Sequence, residues 1–142
     1  MKISVLTATY NRANLLDKLY ASLLINSNSC PEMELEWLIM DDGSTDNTKT
    51  ICENYMLENL INVKYFYQEN QGKMQAINNL VPKATGDLII ECDSDDYLTK
   101  DALKVIEGAL KNCNDLRDIY ELVFLKYDQN GNNMGNNFLN DE

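Results

Sequence analysis

The sequence predicts an α/β fold with a mostly parallel sheet and helices on both faces. Three observations carry this. Short apolar runs alternate with segments of helical periodicity. The runs are continuously apolar, as in strands buried on both sides. The connections between them are short, so successive units read as right-handed βαβ crossovers.

The elements follow in order. Residues 2–8 are apolar and β-branched and read as a first strand. Thr9-Tyr10-Asn11-Arg12 is a polar break. Leu15, Leu16, Leu19, Tyr20, Leu23 and Leu24 then recur at helical spacing on one face, and residues 27–31 read as a loop. A second strand is expected over 35–40. Asp41-Asp42-Gly43-Ser44-Thr45-Asp46 is a turn ending in helix-capping residues. It leads into a helix over about 47–58 with Ile51, Tyr55 and Met56 inward. A third strand spans 63–67, followed by a loop to Gly72 and a helix over 73–81 that Pro82 stops. Thr85-Gly86 is a turn and 87–92 a fourth strand. Thr99 is placed to cap a helix over about 100–112, with Leu103, Ile106 and Leu110 on one face. A fifth strand over 120–127 and an Asn130-Gly131 hairpin turn complete the reading. The expected layout is one domain over 1–142, with a core over about 1–127 and a hairpin or frayed tail over 128–142.

Parallel crossovers place the strand exits on one edge of the sheet. Thr9 to Arg12, Asp41-Asp42, Asn70 to Lys73 and Asp93 to Asp96 should therefore converge. Ligands of open α/β sheets bind at that edge.

Composition narrows the chemistry. The chain has 142 residues, 44% hydrophobic and 25% charged, with a formal net charge of −11. That charge argues against a nucleic-acid partner, which needs a basic patch. A phosphorylated ligand would need a cation or a few placed Lys or Arg. There is no histidine, which excludes histidine general bases and histidine-assisted nucleophiles. Cys30, Cys52, Cys92 and Cys113 form no CxxC pair. Their wide spacing predicts reduced thiols in a cytoplasmic protein. Met1 leads directly into a strand, so no targeting segment is expected. No apolar run reaches the roughly 18 residues of a membrane-spanning helix.

The polar clusters allow specific and plain readings. Asp93 and Asp95 flank Ser94 at a strand exit, where one carboxylate can hold a divalent cation that also bridges two phosphate oxygens. The plain alternative is a solvated acidic turn. Asp41-Asp42-Gly43-Ser44 is either an acceptor site for a base or sugar, or a turn and helix cap. It does not match an EF-hand loop, because Gly43 is misplaced and no Glu closes it. Tyr10 can stack on a flat base, with Arg12 or Lys73 near phosphates. Lys73 also begins a helix, whose amides favour anions. Taken singly, these residues are equally ordinary surface groups.

Together the motifs resemble the family 2 glycosyltransferases of the GT-A fold. The resemblance runs from Ile3-Ser4-Val5-Leu6-Thr7-Ala8-Thr9-Tyr10-Asn11-Arg12 through Trp37-Leu38-Ile39-Met40-Asp41-Asp42-Gly43-Ser44-Thr45-Asp46. It continues in Asn70-Gln71-Gly72-Lys73, with Ala76 and Asn78, and ends in Gly86-Asp87 through Asp93-Ser94-Asp95-Asp96. It implies a nucleotide-diphosphate-sugar donor, usually UDP-linked, and Mg²⁺ or Mn²⁺. By position, Thr9 and Tyr10 would line the base pocket and Asp42 would bond the base, with Asp41 beside it. Lys73 would lie near the nucleotide or its phosphates. Asp95 would be the principal metal ligand, and Asp93 would face the ribose or the metal's water shell. Such enzymes typically invert the anomeric centre in one displacement by an acceptor hydroxyl, here on an unknown saccharide or lipid-linked acceptor.

The resemblance places the general base in a C-terminal half that this sequence, ending at Glu142, is expected to lack. Asp128, Asp141 and Glu142 match no motif for it. The expectation is thus a donor-binding portion that transfers sugar poorly alone. A full-length form could sit peripherally at a membrane. Two alternatives stay open. One is a non-catalytic nucleotide-binding remnant or module. The other is a receiver-like domain using Lys126, although its acidic pair would be expected after the first strand rather than the second.

Overall fold

Alternate residues of the two central strands face opposite helical layers, and this alternation organises the fold. The computed structural model describes residues 1–111, 127, 128 and 130–134. In chain order the elements are β1 (Lys2–Thr9), α1 (Ala13–Ser29), β2 (Glu34–Asp41), α2 (Thr48–Glu58) and β3 (Asn62–Tyr67). There follow α3 (Lys73–Leu80), a 3₁₀ turn (Val81–Lys83), β4 (Leu88–Glu91) and α4 (Ala102–Lys111). The strands form one parallel sheet in the order β3-β2-β1-β4. The order reverses after β3, so β1 and β4 flank the topological switch point, where such sheets bind ligands.

On one face, Leu6 of β1 and Leu38 and Met40 of β2 pack with Ala76, Ile77 and Leu80 of α3. On the other, Trp37 of β2 stacks with Tyr20 of α1 and lies against Tyr55 of α2, with centroids 6.1 and 5.8 Å away. The Trp37 indole N–H donates to Thr7 Oγ1 at 2.9 Å, and Thr7 donates to the Cys92 carbonyl at 2.9 Å. This chain of bonds satisfies the polar tip of a fully buried aromatic. It also ties the β4 exit to β1.

Several boundaries differ from expectation. Helix α1 runs through Ser29 where a loop was predicted from 27. The buried Asn26 accounts for this: its Nδ2 donates to the Ser22 and Thr99 carbonyls, and its Oδ1 accepts from Leu103 N. Helix α2 buries Thr48, Cys52 and Tyr55, while Met56 is exposed, so its inward stripe is smaller and more polar than predicted. Helix α4 begins at Ala102 rather than Lys100, because Thr99 contributes its carbonyl to Ala102 N in a preceding turn.

Gly86 ends the approach to β4. A Cβ there would lie 2.6 Å from Ser4 N and 2.9 Å from the Ile3 carbonyl carbon, both backbone atoms, so only glycine lets β4 settle beside β1.

The chain divides into two compact units, Met1–Gly108 and Ala109–Glu142. The sequence pattern draws its boundary instead near 127. Within the second unit, Tyr127 and Asn133 form an antiparallel bridge. The Asp128 carboxylate closes its turn by accepting from the Asn130 and Asn132 amides. The remainder of the expected fifth strand, with Lys126, lies outside the described residues, as do Cys113, Asp141 and Glu142. Cys30, Cys52 and Cys92 are buried, and burial pushes the Cys52 thiol up to about 12. Among the described residues, no helix is long and apolar enough to cross a membrane.

Candidate functional site

A cavity of about 390 Å³ opens at the carboxyl edge of the sheet. It is lined by Ala8, Thr9, Tyr10 and Arg12 from the β1 exit, Asp42 from β2, Lys73 at the start of α3, and Asp93, Ser94 and Asp95 after β4. The predicted convergence is therefore present in space. A larger cavity of about 770 Å³ lies at the opposite edge, among Lys2, Glu34, Asn62 and Asp87. That edge gathers strand starts rather than the strand exits at which open α/β sheets bind their ligands.

Two of the acidic residues after β4, Asp93 and Asp95, are each paired with a cation. Arg12 Nη1 lies 3.2 Å from Asp95 Oδ1. Lys73 Nζ lies 2.5 Å from Asp93 Oδ1 and 3.0 Å from Glu91 Oε1. Its bond to Asp93, then that to Glu91, holds the Lys73 ammonium above its ordinary pKa. The turn is closed by the Asp96 amide donating to the Asp93 carbonyl at 3.0 Å, with Ser94 buried beneath.

Asp41 and Asp42 are adjacent and do different work. Asp41 is the last residue of β2, buried, and not among the cavity-lining residues. Its Oδ1 accepts from Ser44 N at 2.8 Å and its Oδ2 from Tyr65 Oη at 2.7 Å. Burial, then this bond, raises the Tyr65 phenol well above its usual pKa. Asp42 reaches the cavity but also braces residues 68–72. Its Oδ1 accepts from Gln68 Nε2 at 2.7 Å and Gln71 N at 2.8 Å, and its Oδ2 from Gly72 N at 2.9 Å. The amides leading into α3 are thus bonded to a protein carboxylate. Gln68 Oε1 in turn accepts from Asn79 of α3. Gly43 makes this approach possible. Its φ is +89°, and a Cβ would meet Asn70 N at 2.9 Å.

One feature escaped the sequence reading as a site builder. Asn11 adopts a left-handed φ of 51°, which asparagine tolerates. Its Oδ1 accepts from Thr45 N at 2.7 Å and Asp46 N at 3.3 Å, and its own N–H donates to Ser44 Oγ at 2.8 Å. Asp46 Oδ2 accepts from Ala13 N at 3.1 Å and supplies the N-terminus of α1 with the partner its own Arg12 does not provide. Thr9, which the resemblance assigns to the base pocket, adds a detail of its own. Its buried Oγ1 has no hydrogen-bond partner among the described residues, although it belongs to the cavity lining. An orphan hydroxyl costs free energy unless something else bonds it.

The cavity thus combines an exposed tyrosine ring, two cations, accessible carboxylates and an unspent hydroxyl. That set suits a ligand with a flat ring and anionic groups. The family model for glycosyl transferase family 2 matches residues 4–136. The chain belongs to that family. An uncharacterized glycosyltransferase of Mycoplasma pneumoniae is 38% identical over 130 residues, covering 89% of this family 2 domain and 41% of that relative. The poly(ribitol-phosphate) beta-N-acetylglucosaminyltransferase TarS of Staphylococcus aureus is 34% identical over 104 residues, covering 73% of this chain and 18% of TarS. A structure of TarS residues 1–349 in complex with UDP-GlcNAc superimposes with a TM-score of 0.68 at 33% identity, over 78% of this chain and 31% of that one. A mannosyltransferase from Pyrobaculum calidifontis, in complex with GDP-Man and Mn²⁺, gives a TM-score of 0.65 at 22% identity, covering 80% of this chain and 32% of its own. That likeness bears on the fold alone, which is GT-A. The family 2 domain spans less than half the length of each of these relatives.

Proposed function

We propose that this family 2 domain binds a nucleotide-diphosphate sugar, UDP-linked, with Mg²⁺ or Mn²⁺, for inverting transfer to an acceptor hydroxyl. The observation that carries the proposal is the meeting of Thr9, Tyr10, Arg12, Asp42, Lys73, Asp93 and Asp95 around one cavity at the β1/β4 switch point. The UDP-GlcNAc complex of the similar TarS supports the choice of nucleotide.

In this reading Tyr10 stacks on the base, and Thr9 Oγ1 gains the partner it lacks. Among the described residues Asp42 Oδ2 accepts a single bond, so it retains capacity for a base N–H. Asp41 stands behind as its support, through Ser44 and Tyr65. Arg12 and Lys73 face the diphosphate, which charge-assisted bonds favour. Asp95 is the principal metal ligand and Asp93 faces the ribose or the metal's water shell.

The donor set fits such an ion. Among the described residues no group of three or more acidic, histidine or cysteine side chains forms a protein-only metal site. Mg²⁺ characteristically takes one or two carboxylates and completes its shell with phosphate oxygens and water. When bound, the ion would offset charge developing on the diphosphate leaving group. The chain's own residues orient the donor and hold its anionic end beside β4. The proposal includes a saccharide or lipid-linked acceptor, and a cytoplasmic compartment, with peripheral membrane association for a longer form.

Calorimetric titration with UDP and UDP-GlcNAc, with and without Mn²⁺, tests this reading. Metal-dependent binding is expected in the wild type and at least tenfold weaker binding in Asp95→Ala. If a demonstrably folded chain binds neither UDP nor GDP, the donor-site reading falls.

A further inference from the structure

Arg12 and Lys73 pair with the two carboxylates that the donor-site reading places at the metal, Asp95 as its principal ligand and Asp93 at the ribose or the metal's water shell. Arg12 Nη1 is 3.2 Å from Asp95 Oδ1, and Lys73 Nζ is 2.5 Å from Asp93 Oδ1. A divalent cation held at Asp95, with Asp93 beside its water shell, would sit within a few ångströms of two positive charges. The ion pairs and the metal therefore compete. The competition is not remote or screened away, because donor and acceptor are already in contact. Nor are the pairs locked. Arg12, Asp95 and Lys73 are each about half exposed, with side-chain exposures of 48%, 51% and 49%, and pairs of that kind are weak enough to exchange partners. The orphan Thr9 hydroxyl in the same cavity wall independently marks the place as built for a ligand.

We infer that Arg12 and Lys73 are a charge relay between two binding partners, gating the metal on the arrival of the diphosphate. This rests on the donor-site reading above. The two cations neutralise Asp95 and Asp93, and they leave those oxygens only when an anion of comparable charge takes them. A metal ion alone must displace them without compensation and binds weakly. A metal ion arriving with a nucleotide diphosphate exchanges carboxylate–cation contacts for carboxylate–metal and cation–phosphate contacts together. Cooperativity between metal and nucleotide is then a property of these two side chains, and by linkage it is reciprocal. Glu91, the second partner of Lys73 at 3.0 Å, keeps the ammonium near the cavity while its bond to Asp93 is surrendered.

The test measures Mn²⁺ alone, and then UDP at saturating Mn²⁺, on the wild type and on Arg12→Gln, Lys73→Gln and Arg12→Lys. A unit charge about 6 Å from a divalent ion changes affinity by roughly tenfold even at water-like screening. Each glutamine variant should therefore bind Mn²⁺ alone about three- to tenfold more tightly, and UDP with Mn²⁺ about tenfold more weakly. Arg12→Lys keeps the charge and should leave Mn²⁺ affinity near wild type. Opposite movement of the two affinities is the signature, since a merely structural role would move both in one direction. Thermal melts check that each variant is folded. If the wild type binds UDP with Mn²⁺ but the glutamine variants lose or keep both affinities together, the relay is overturned and the donor site stands. If the wild type binds neither UDP nor GDP with Mn²⁺, the donor-site reading falls and takes the relay with it.

Discussion

Replacing Glu36 by alanine is expected to destabilise the fold by about 3–5 kcal/mol, because several bonds to one buried charged acceptor are lost at roughly 1.5–3 kcal/mol each. Glu36 is fully buried in β2. Its Oε1 accepts from Ser4 Oγ at 2.6 Å and from Thr85 N and Oγ1 at 2.7 and 3.0 Å. Its Oε2 faces Lys64 Nζ at 2.9 Å and Lys2 Nζ at 3.4 Å. One carboxylate thereby joins β1, β2, β3 and the turn before β4. Alanine would strand the buried Ser4 hydroxyl, while the exposed Thr85 and the partly exposed Lys64 and Lys2 could still reach water.

The same network sets a pH dependence. Burial pushes the Glu36 carboxyl up, but the bonds from Lys64, Ser4 and Thr85 outweigh it and lower the pKa from 4.5 to about 2. A group depressed on folding contributes fully above its unfolded pKa. Its contribution, about 3 kcal/mol at order of magnitude, is lost progressively as pH falls from 4.5 towards 2. Urea unfolding at pH 7 and pH 3 checks both points. The gap in stability between wild type and Glu36→Gln should narrow at pH 3. A gap that stays constant would show that Glu36 is not the titrating group.

Asp42→Ala should have the next largest effect, about 2–4 kcal/mol, together with a loss of donor affinity beyond tenfold. Three donors from residues 68–72 converge on this buried carboxylate, and bonds to a charged acceptor are the stronger kind. Without it, the segment that delivers Lys73 to the cavity loses its anchor. Asp42→Asn keeps one acceptor oxygen and should cost less on both counts. Unfolding curves and UDP titrations on the two variants separate the effects. Wild-type stability in Asp42→Ala would mean that the Gly43 contact and the β2–β3 ladder hold the loop unaided.

Much of the site was legible because parallel topology turns sequence order into spatial convergence. Four polar clusters, each after an apolar run, had one edge to meet at, and Thr9, Tyr10, Arg12, Asp42, Lys73, Asp93 and Asp95 do meet there. Asp41 shows the limit of this reasoning. It differs from Asp42 by one residue, yet it still pairs with Thr9 and Tyr67 in the sheet, and so its side chain serves Ser44 and Tyr65 instead of the cavity. Glu36 was hidden within what reads as an apolar strand, since its compensation comes from Lys64 and Thr85, far along the chain. Asn26 misled the helix boundary for the same reason. Local periodicity treats a polar residue as a surface or loop signal, while its partners at Thr99 and Leu103 make it a core tie. In α2 the larger Met56 was assigned inward, but the helix is phased by Thr48, Cys52 and Tyr55.

The clasp made by Asn11 has a consequence for how the domain breathes. Asn11 ties Ser44, Thr45 and Asp46, while Asp46 ties Ala13. Neither loop can swing outward without breaking the bonds of the other, so the two share one opening free energy, as members of one cooperative unit do. Amides at Thr45 and Ala13 are expected to exchange with solvent at matched free energies, and clearly separate values would show two independent loops. Fluctuation at this end of the sheet is then all-or-none, and a bound molecule would see both walls of its cavity leave together or not at all.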